Sequence, residues 1–423
     1  MGNAEIVYPL SAVRALALHT QGLTTANGAE PAPTPETIAG VVEGIGCLQI
    51  DTLQVVQRSH YLVLWSRLGC YEPAALDRLV YGDPTATGNT RGLFEGWMHA
   101  ACILPLSEYR YRLPHMRRLR RTPAQWSRKW LAEPGTSALI QSVLERVRQE
   151  GALRVADFEY DGPRRGSWWD WKPVKHALEH LFAWGDLMIA DRVNFQRAYD
   201  LRERILPQWV DTTEPTREEM IRHVLAFAAR AFGICRPDQA ADYIHEVKRA
   251  EARPFVEDLL AGGILVKVHA ELHDDREHTM IVHRDNLPLL EQAAAGALPA
   301  ERTTFLSPFD NLFWPQGRDR RFWGFRHVLE AYKPAGKRRW GYFCLSILQR
   351  DRFVGRFDPK VERKEGLLRL KALYLEPGVE PEEGLVADVA ATMRDFMAFH
   401  GAGDLVVERS EPAAFGQKLS AAL

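Results

Sequence analysis

One pattern recurs three times along the 423 residues, and it limits the fold more than any other feature. Amphipathic helices with a period near 3.6 are followed by a short pair of strands. The first copy has helices over residues 10–21, 35–46, 55–68 and 73–80, then an apolar, aromatic stretch over 94–104 that suits strands and stops at Pro105. The second has helices over 137–151 and 172–185, with strands at 187–190 and 196–201 joined by a polar turn around Asn194. The third has helices over 217–232, 237–247 and 254–261, with strands at 264–272 and 278–283 and Asp274 and Asp275 in the turn. Helices closed by a small hairpin are the pattern of a winged helix. From about Thr303 the pattern becomes strand-like, at 305–306, 323–332, 340–348, 352–361 and 367–374, with one amphipathic helix over 385–400 and a last strand over 404–409.

These elements predict an α+β chain: three tandem winged-helix units followed by a small β-barrel-like domain. The divisions fall at residues 1–115, 116–210, 211–300 and 301–423. Gln49-Ile50-Asp51 lies in the first of these divisions, and the basic segment Lys333 to Arg339 in the last.

Charge is balanced, with 54 Lys and Arg against 55 Asp and Glu, so any polyanion surface must come from local clustering. Two clusters exist. Residues 109–129 hold Arg110, Arg112, Arg117, Arg118, Arg120, Arg121, Arg128 and Lys129 without one acid. Arg318, Arg320, Arg321 and Arg326 lead to Lys333, Lys337, Arg338 and Arg339. Beside helix-hairpin units, such clusters point to a nucleic acid. The segment Lys333 to Arg339 carries its cations around a Gly-containing turn, which suits insertion into a groove.

Several chemistries are disfavoured. The five cysteines are scattered with no C-x-x-C pair, arguing against a disulfide framework or structural zinc. His176 and His180 are spaced i,i+4 but lack a third ligand, so neither a metal nor another cofactor is expected. No phosphate-cradling glycine motif occurs. No long apolar run suggests a membrane span, and a cytoplasmic protein without membrane partner is expected.

The most unusual segment is Gln49-Ile50-Asp51. In extended geometry Gln49 and Asp51 point to one side while Ile50 anchors the other. Arg58, Ser59, His60 and Tyr61 then open a helix with hydrogen-bonding groups. A plain helix N-cap explains Asp51 equally well. A non-catalytic winged-helix transcriptional regulator would use the same basic surfaces without the polar pair, and glycosidase action on RNA also fits.

With Gln49-Ile50-Asp51 the chain resembles the winged-helix DNA glycosylases of the AlkZ/YcaQ type, in the Gln-apolar-Asp form of the YcaQ-like branch. The resemblance continues in residues 56–61 (Val-Gln-Arg-Ser-His-Tyr), 93–100, 168–173, 306–311 (Leu-Ser-Pro-Phe-Asp-Asn) and 355–360. Pro359 departs from the apolar residue expected in its strand.

The resemblance implies a monofunctional glycosylase that hydrolyses N7-alkylated purines, unhooks interstrand crosslinks and leaves abasic sites. Gln49 and Asp51 would be catalytic. Arg58, Ser59, His60, Tyr61, Lys333, Lys337, Arg338 and Arg339 would meet DNA. Glu95 and His99 would support the loop, or simply pair with each other in the interior. The enzyme would act as a monomer. A cationic N7-alkylguanine is already a good leaving group, so one carboxylate suffices to stabilise the sugar cation and hold a water. No lysine precedes Lys129, which leaves the first domain without an amine for Schiff-base chemistry.

Overall fold

The computed structural model describes residues 6–26, 32–158, 173–243 and 247–423. Trp168, Trp169 and Trp171 of the aromatic motif lie outside the described residues. The chain divides into two compact units. The first comprises residues 1–75, 98–102 and 221–423; the second comprises 76–97 and 103–220. Helix and sheet are mixed in both. Among the described residues no helix is long and apolar enough to cross a membrane.

In the first unit, helix Leu10–His19 is buried along most of its length, with Val13, Leu16 and Leu18 fully enclosed. It joins a core with Leu290, Leu306, Phe322 and Phe353. Strand Leu265–Glu271 pairs antiparallel with Glu277–His283, as the alternating sequence predicts, while Val7–Tyr8 adds in parallel at His269 and Ala270. Helix Arg249–Ala261 starts earlier than expected and runs through Pro254. Pro254 falls outside the first turn, so its missing N–H removes one intrahelical bond. Residues 237–242 form a 3-10 helix rather than the expected α-helix.

The C-terminal sheet follows the strand order Thr303–Leu306, Leu345–Gln349, Arg352–Glu362, Leu367–Leu375, Asp404–Val407, with Ser410–Glu411 also on Leu367–Leu375. The path has two ends, so the barrel-like closure expected from sequence is replaced by an open mixed sheet. Its last pairings are parallel, made after the crossover helix Glu383–His400. That helix and helix Ser59–Leu68 share an aromatic cluster with the sheet: Trp65 meets Phe396 at 4.9 Å, and Phe305 meets Phe357 at 4.8 Å. Pro359 sits at a register shift between Asp358 and Pro359, a place where a strand tolerates a residue without an N–H.

Residues 323–332 are not a strand. Arg318–Trp323 is a short helix ended by Gly324 at φ +63°, and the following chain pairs with no strand. The apolar side chains that imitate a strand, Phe322, Trp323 and Phe325, are buried by side-chain packing without a backbone ladder.

In the second unit, Leu153–Arg154, Gln196–Leu201 and Leu187–Val193 form a three-stranded antiparallel sheet. Helices Thr136–Glu150 and Pro173–Trp184 pack on it through Val147, Leu178 and Tyr199.

Candidate active site

The loop carrying Gln49 is built by a helix stop. Helix Pro35–Ile45 opens at Thr34, whose hydroxyl accepts from Thr37 N–H at 3.3 Å, and closes at Gly46 with φ +82°. A Cβ at Gly46 would lie 2.3 Å from the Phe227 ring and 2.7 Å from the Tyr243 hydroxyl. Position 46 therefore admits only glycine without local displacement. Beyond it Leu48 and Ile50 are buried while Gln49 and Asp51 are half-buried, the alternation expected of an extended segment.

Five hydrogen bonds fix this segment. Asn311 donates from Nδ2 to the carbonyls of Ile45 and Cys47, at 3.1 and 2.8 Å. Ile50 N–H donates to Ala101 O at 2.8 Å. The Ser59 hydroxyl donates to Gln49 O at 2.6 Å. His99 Nε2 lies 3.0 Å from Gln49 Oε1. An amide oxygen only accepts, so His99 donates from Nε2, which turns the Gln49 NH2 away from the imidazole. The His99 ring is held edge-on by Trp314 with centroids 4.2 Å apart.

Asp51 accepts from Leu53 N–H through Oδ1 at 2.8 Å, a local turn that sets the carboxylate direction. Its Oδ2 has no hydrogen-bond partner among the described residues. Arg58 donates from Nη1 to Thr52 O at 3.3 Å, and Arg363 reaches Val56 O at 2.5 Å. The loop is thus closed from both sides, and Asp51 keeps one oxygen clear.

Ser59 and His60 are buried, at 0% and 4% exposure, whereas Arg58 and Tyr61 are half-exposed. Tyr61 and His60 lie with ring centroids 4.2 Å apart. Glu95 and His99 fall in different units. Glu95 is buried and accepts from Tyr81 OH at 2.6 Å and from Arg192 at 2.5 and 2.8 Å, with Arg197 at 3.6 Å. Burial alone would raise the Glu95 carboxyl, but Arg192 and Arg197 hold it below its usual range.

Beneath the loop is a buried ion pair. Arg67 donates to both oxygens of Asp310 at 2.7 and 2.9 Å and to Gln21 O at 2.8 Å. Asp310 also accepts from Leu312 N–H at 3.0 Å. Asp310 and Asn311, the last two residues of the Leu-Ser-Pro-Phe-Asp-Asn motif, therefore brace the catalytic candidate from far along the chain. Sequence reasoning singled out that motif only by resemblance.

Lys333 to Arg339 form a loop with a single 3-10 turn at Ala335–Lys337, in place of a hairpin between strands. Its organiser is Glu330, 3% exposed, whose carboxylate accepts from Lys333 Nζ at 2.8 Å and from Arg339 and Trp340 N–H at 2.9 and 2.8 Å. Burial opposes ionisation of Glu330, but these donors outweigh it and hold its pKa down to about 2. Arg338 donates to Lys333 O at 2.9 Å and lies over the Tyr342 ring. Tyr332, just before the loop, is 75% exposed. Its hydroxyl is raised by partial desolvation first and by the Asp51 carboxylate second, so it stands within electrostatic reach of Asp51. An exposed aromatic preceding a basic turn was the signal for Tyr332 in the sequence.

The basic run over residues 109–129 is less available than its composition suggests. Arg112 is buried, and Arg110, Arg117 and Arg120 pair with Asp211, Glu214 and Asp186. Arg318 is also interior and donates to Phe232 O at 2.6 Å. His180 spends both ring nitrogens on Ser127 Oγ and His176 O, leaving neither for a metal.

A family model described as AlkZ-like DNA glycosylase matches residues 42–399. The chain belongs to the AlkZ-like DNA glycosylase family. In fold it is similar to Streptomyces sahachiroi DNA glycosylase AlkZ, at a TM-score of 0.61 and 17% identity, covering 96% of this chain and 100% of that one. Membership implies a DNA glycosylase with DNA as its partner.

Proposed function

We propose that this AlkZ-like chain is a monofunctional glycosylase that releases N7-alkylated purines from duplex DNA and unhooks N7-linked interstrand crosslinks, leaving abasic sites. The observation that carries the reading is Asp51: a carboxylate aimed by a tight turn, half-exposed, with Oδ2 uncommitted beside an oriented Gln49 amide. As the N-glycosidic bond breaks, positive charge grows on the deoxyribose and is stabilised by Asp51. The same carboxylate takes a proton from water attacking C1′. Gln49, its oxygen held by His99, offers N–H donors to that water or to the sugar. The alkylated base carries its own positive charge and leaves without a second acid.

Single-step hydrolysis is favoured over a Schiff base because no lysine lies near Asp51 in sequence and Lys333 Nζ is engaged by Glu330 at 2.8 Å. DNA contact is assigned to Arg58, Tyr61, Lys337, Arg338 and Arg339, with Lys333 shaping their loop. Ser59, His60 and His99 act as supports of the Gln49 segment, and Glu95 as a structural carboxylate of the second unit. The two helix-borne hairpins, Leu187–Val193 with Gln196–Leu201 and Leu265–Glu271 with Glu277–His283, support a winged-helix reading of those regions. A crosslinked base stays tethered to the opposite strand, so it must be reached without full extrusion, which a half-exposed Asp51 allows. We further assign a monomer working in the cytoplasm.

The test is single-turnover incubation with duplex DNA bearing one N7-methylguanine, and separately one N7-linked crosslink, for wild type, Asp51→Asn and Gln49→Ala. Alkali-labile sites made by wild type and lost in Asp51→Asn are expected. Tight binding of both duplexes with no base release would overturn the reading and leave a non-catalytic DNA-binding regulator.

A further inference from the structure

A cavity of about 590 Å³ in the first unit is bordered by the Lys333–Arg339 loop and holds neither Gln49 nor Asp51. Its volume falls in the roughly 300–1,000 Å³ range of small-molecule sites. Five cations line it, Arg326, Lys333, Lys337, Arg339 and Arg356, against two acids, Glu330 and Glu376. Both acids are already engaged. Glu330 holds Lys333 and two backbone N–H groups, and Glu376 accepts from Arg356 at 2.6 and 2.9 Å. Arg326, Lys337 and Arg339 have no acidic partner among the described residues. A metal cation would meet this surplus as repulsion, whereas an anion would meet it as attraction.

The walls are fixed before any ligand arrives. The Arg356 guanidinium lies over Trp340 at 4.5 Å and Phe325 at 4.4 Å, and donates to Arg326 O at 3.0 Å. Arg339 also lies over the Trp340 ring, 4.3 Å from its centroid. Gly324, at φ +63°, lets His273 lie where a Cβ would stand only 2.2 Å from its Nε2. Apolar lining comes from Trp323, Val328, Pro377 and Val379. Cationic donors beside rigid apolar surface suit a ligand that is itself an anion joined to a flat, weakly polar body.

We propose that this cavity is a nucleotide pocket, in which Arg326, Lys337 and Arg339 take a phosphate and the apolar lining around Trp323, Val328 and Val379 takes the base. The same loop cations are assigned to DNA above, so the pocket partly rests on that reading when the nucleotide belongs to a DNA strand. A free mononucleotide has the same chemistry and needs no glycosylase activity.

The test is calorimetric titration of the full-length Asp51→Asn chain, which separates binding from base release. Probes are dGMP, deoxyguanosine, inorganic phosphate and a 5′-phosphorylated pentanucleotide. Saturable dGMP binding is expected, at least tenfold tighter than deoxyguanosine or phosphate. Arg326→Ala, at an exposed position, should weaken it tenfold or more, and Val379→Glu should do so by bringing in a carboxylate; melting temperatures report that both remain folded. Pentanucleotide binding that is lost in Arg326→Ala identifies the DNA strand as the source, and binding of dGMP alone identifies the free nucleotide. Absence of dGMP binding, equal binding of inorganic phosphate, or folded variants with unchanged affinity would each overturn the proposal. Loss of base release in the wild type alongside intact dGMP binding would remove the glycosylase reading and leave the pocket standing.

Discussion

Glu95, inside strand Leu93–Trp97 of the second unit, and Asp51, just beyond strand Leu48–Gln49 of the first, are both acidic, yet their surroundings differ. Glu95 is enclosed and saturated: a tyrosine hydroxyl and two arginines use up its oxygens. Asp51 is half-exposed, directed by one backbone N–H, and keeps an oxygen open. A saturated carboxylate stabilises one arrangement of its neighbours. An incompletely satisfied one, held still by neutral groups, remains able to bond something that arrives later. The supports of Gln49 follow the second plan, since Asn311, Ser59 and His99 fix it without placing a competing cation on Asp51.

Substituting each carboxylate tests this contrast. Asp51→Asn should lower the single-turnover rate of base release by about 10²–10⁴-fold, the usual contribution of a positioned acid or base. It should leave urea unfolding within about 0.5 kcal/mol of wild type. Equal loss of stability and rate would make Asp51 structural. Glu95→Gln should do the reverse, costing about 3–5 kcal/mol by leaving Arg192 without its charge partner. The acid response carries a definite sign. Glu95 titrates below its usual range in the folded chain, so its stabilisation is complete above the unfolded value near 4.5 and fades as pH falls through the lower folded value. Wild type should therefore lose stability on acidification faster than Glu95→Gln, and parallel acid curves would refute the assignment.

Smaller effects should sharpen the description of the supports. His99→Ala removes one hydrogen bond to Gln49, worth about 0.5–1.5 kcal/mol, and should slow base release by up to roughly tenfold with little change in DNA affinity. A fall in affinity with unchanged rate would place His99 at the DNA instead. Lys337→Ala should weaken duplex binding for every sequence alike and reduce the slope of log affinity against log salt by about 1. An unaltered slope would remove Lys337 from the phosphate contacts.

Much of the local structure was legible in the sequence because it depends on near neighbours. Helix Arg217–Phe232 and strand Gln196–Leu201 match their apolar periods, and the in-out alternation of Leu48, Gln49, Ile50 and Asp51 follows from extended geometry. Residues 323–332 misled because buried aromatics in a helix end and an unpaired loop imitate strand composition. Closure of the last sheet was not legible either: it depends on where the parallel strand Asp404–Val407 joins, after an 18-residue helix. The role of Asn311 was hidden for the same reason, since its partners stand 264 and 266 positions earlier. The basic run over 109–129 misled in another way, because composition does not reveal that Asp186, Asp211 and Glu214 return to neutralise it.

The separation between Asn311 and the Gln49 loop also sets a schedule for the growing chain. Residues 45–51 leave the ribosome long before the amide that fixes them has been translated. At about 5–20 residues per second, the intervening stretch of roughly 264 residues takes about 13–50 s to make. Arg67 waits nearly as long for Asp310. The second unit contains no residue beyond Met220 and can complete its own core in that interval. A nascent chain arrested before position 310 should therefore carry a folded second unit and a Gln49 segment that is still unbraced.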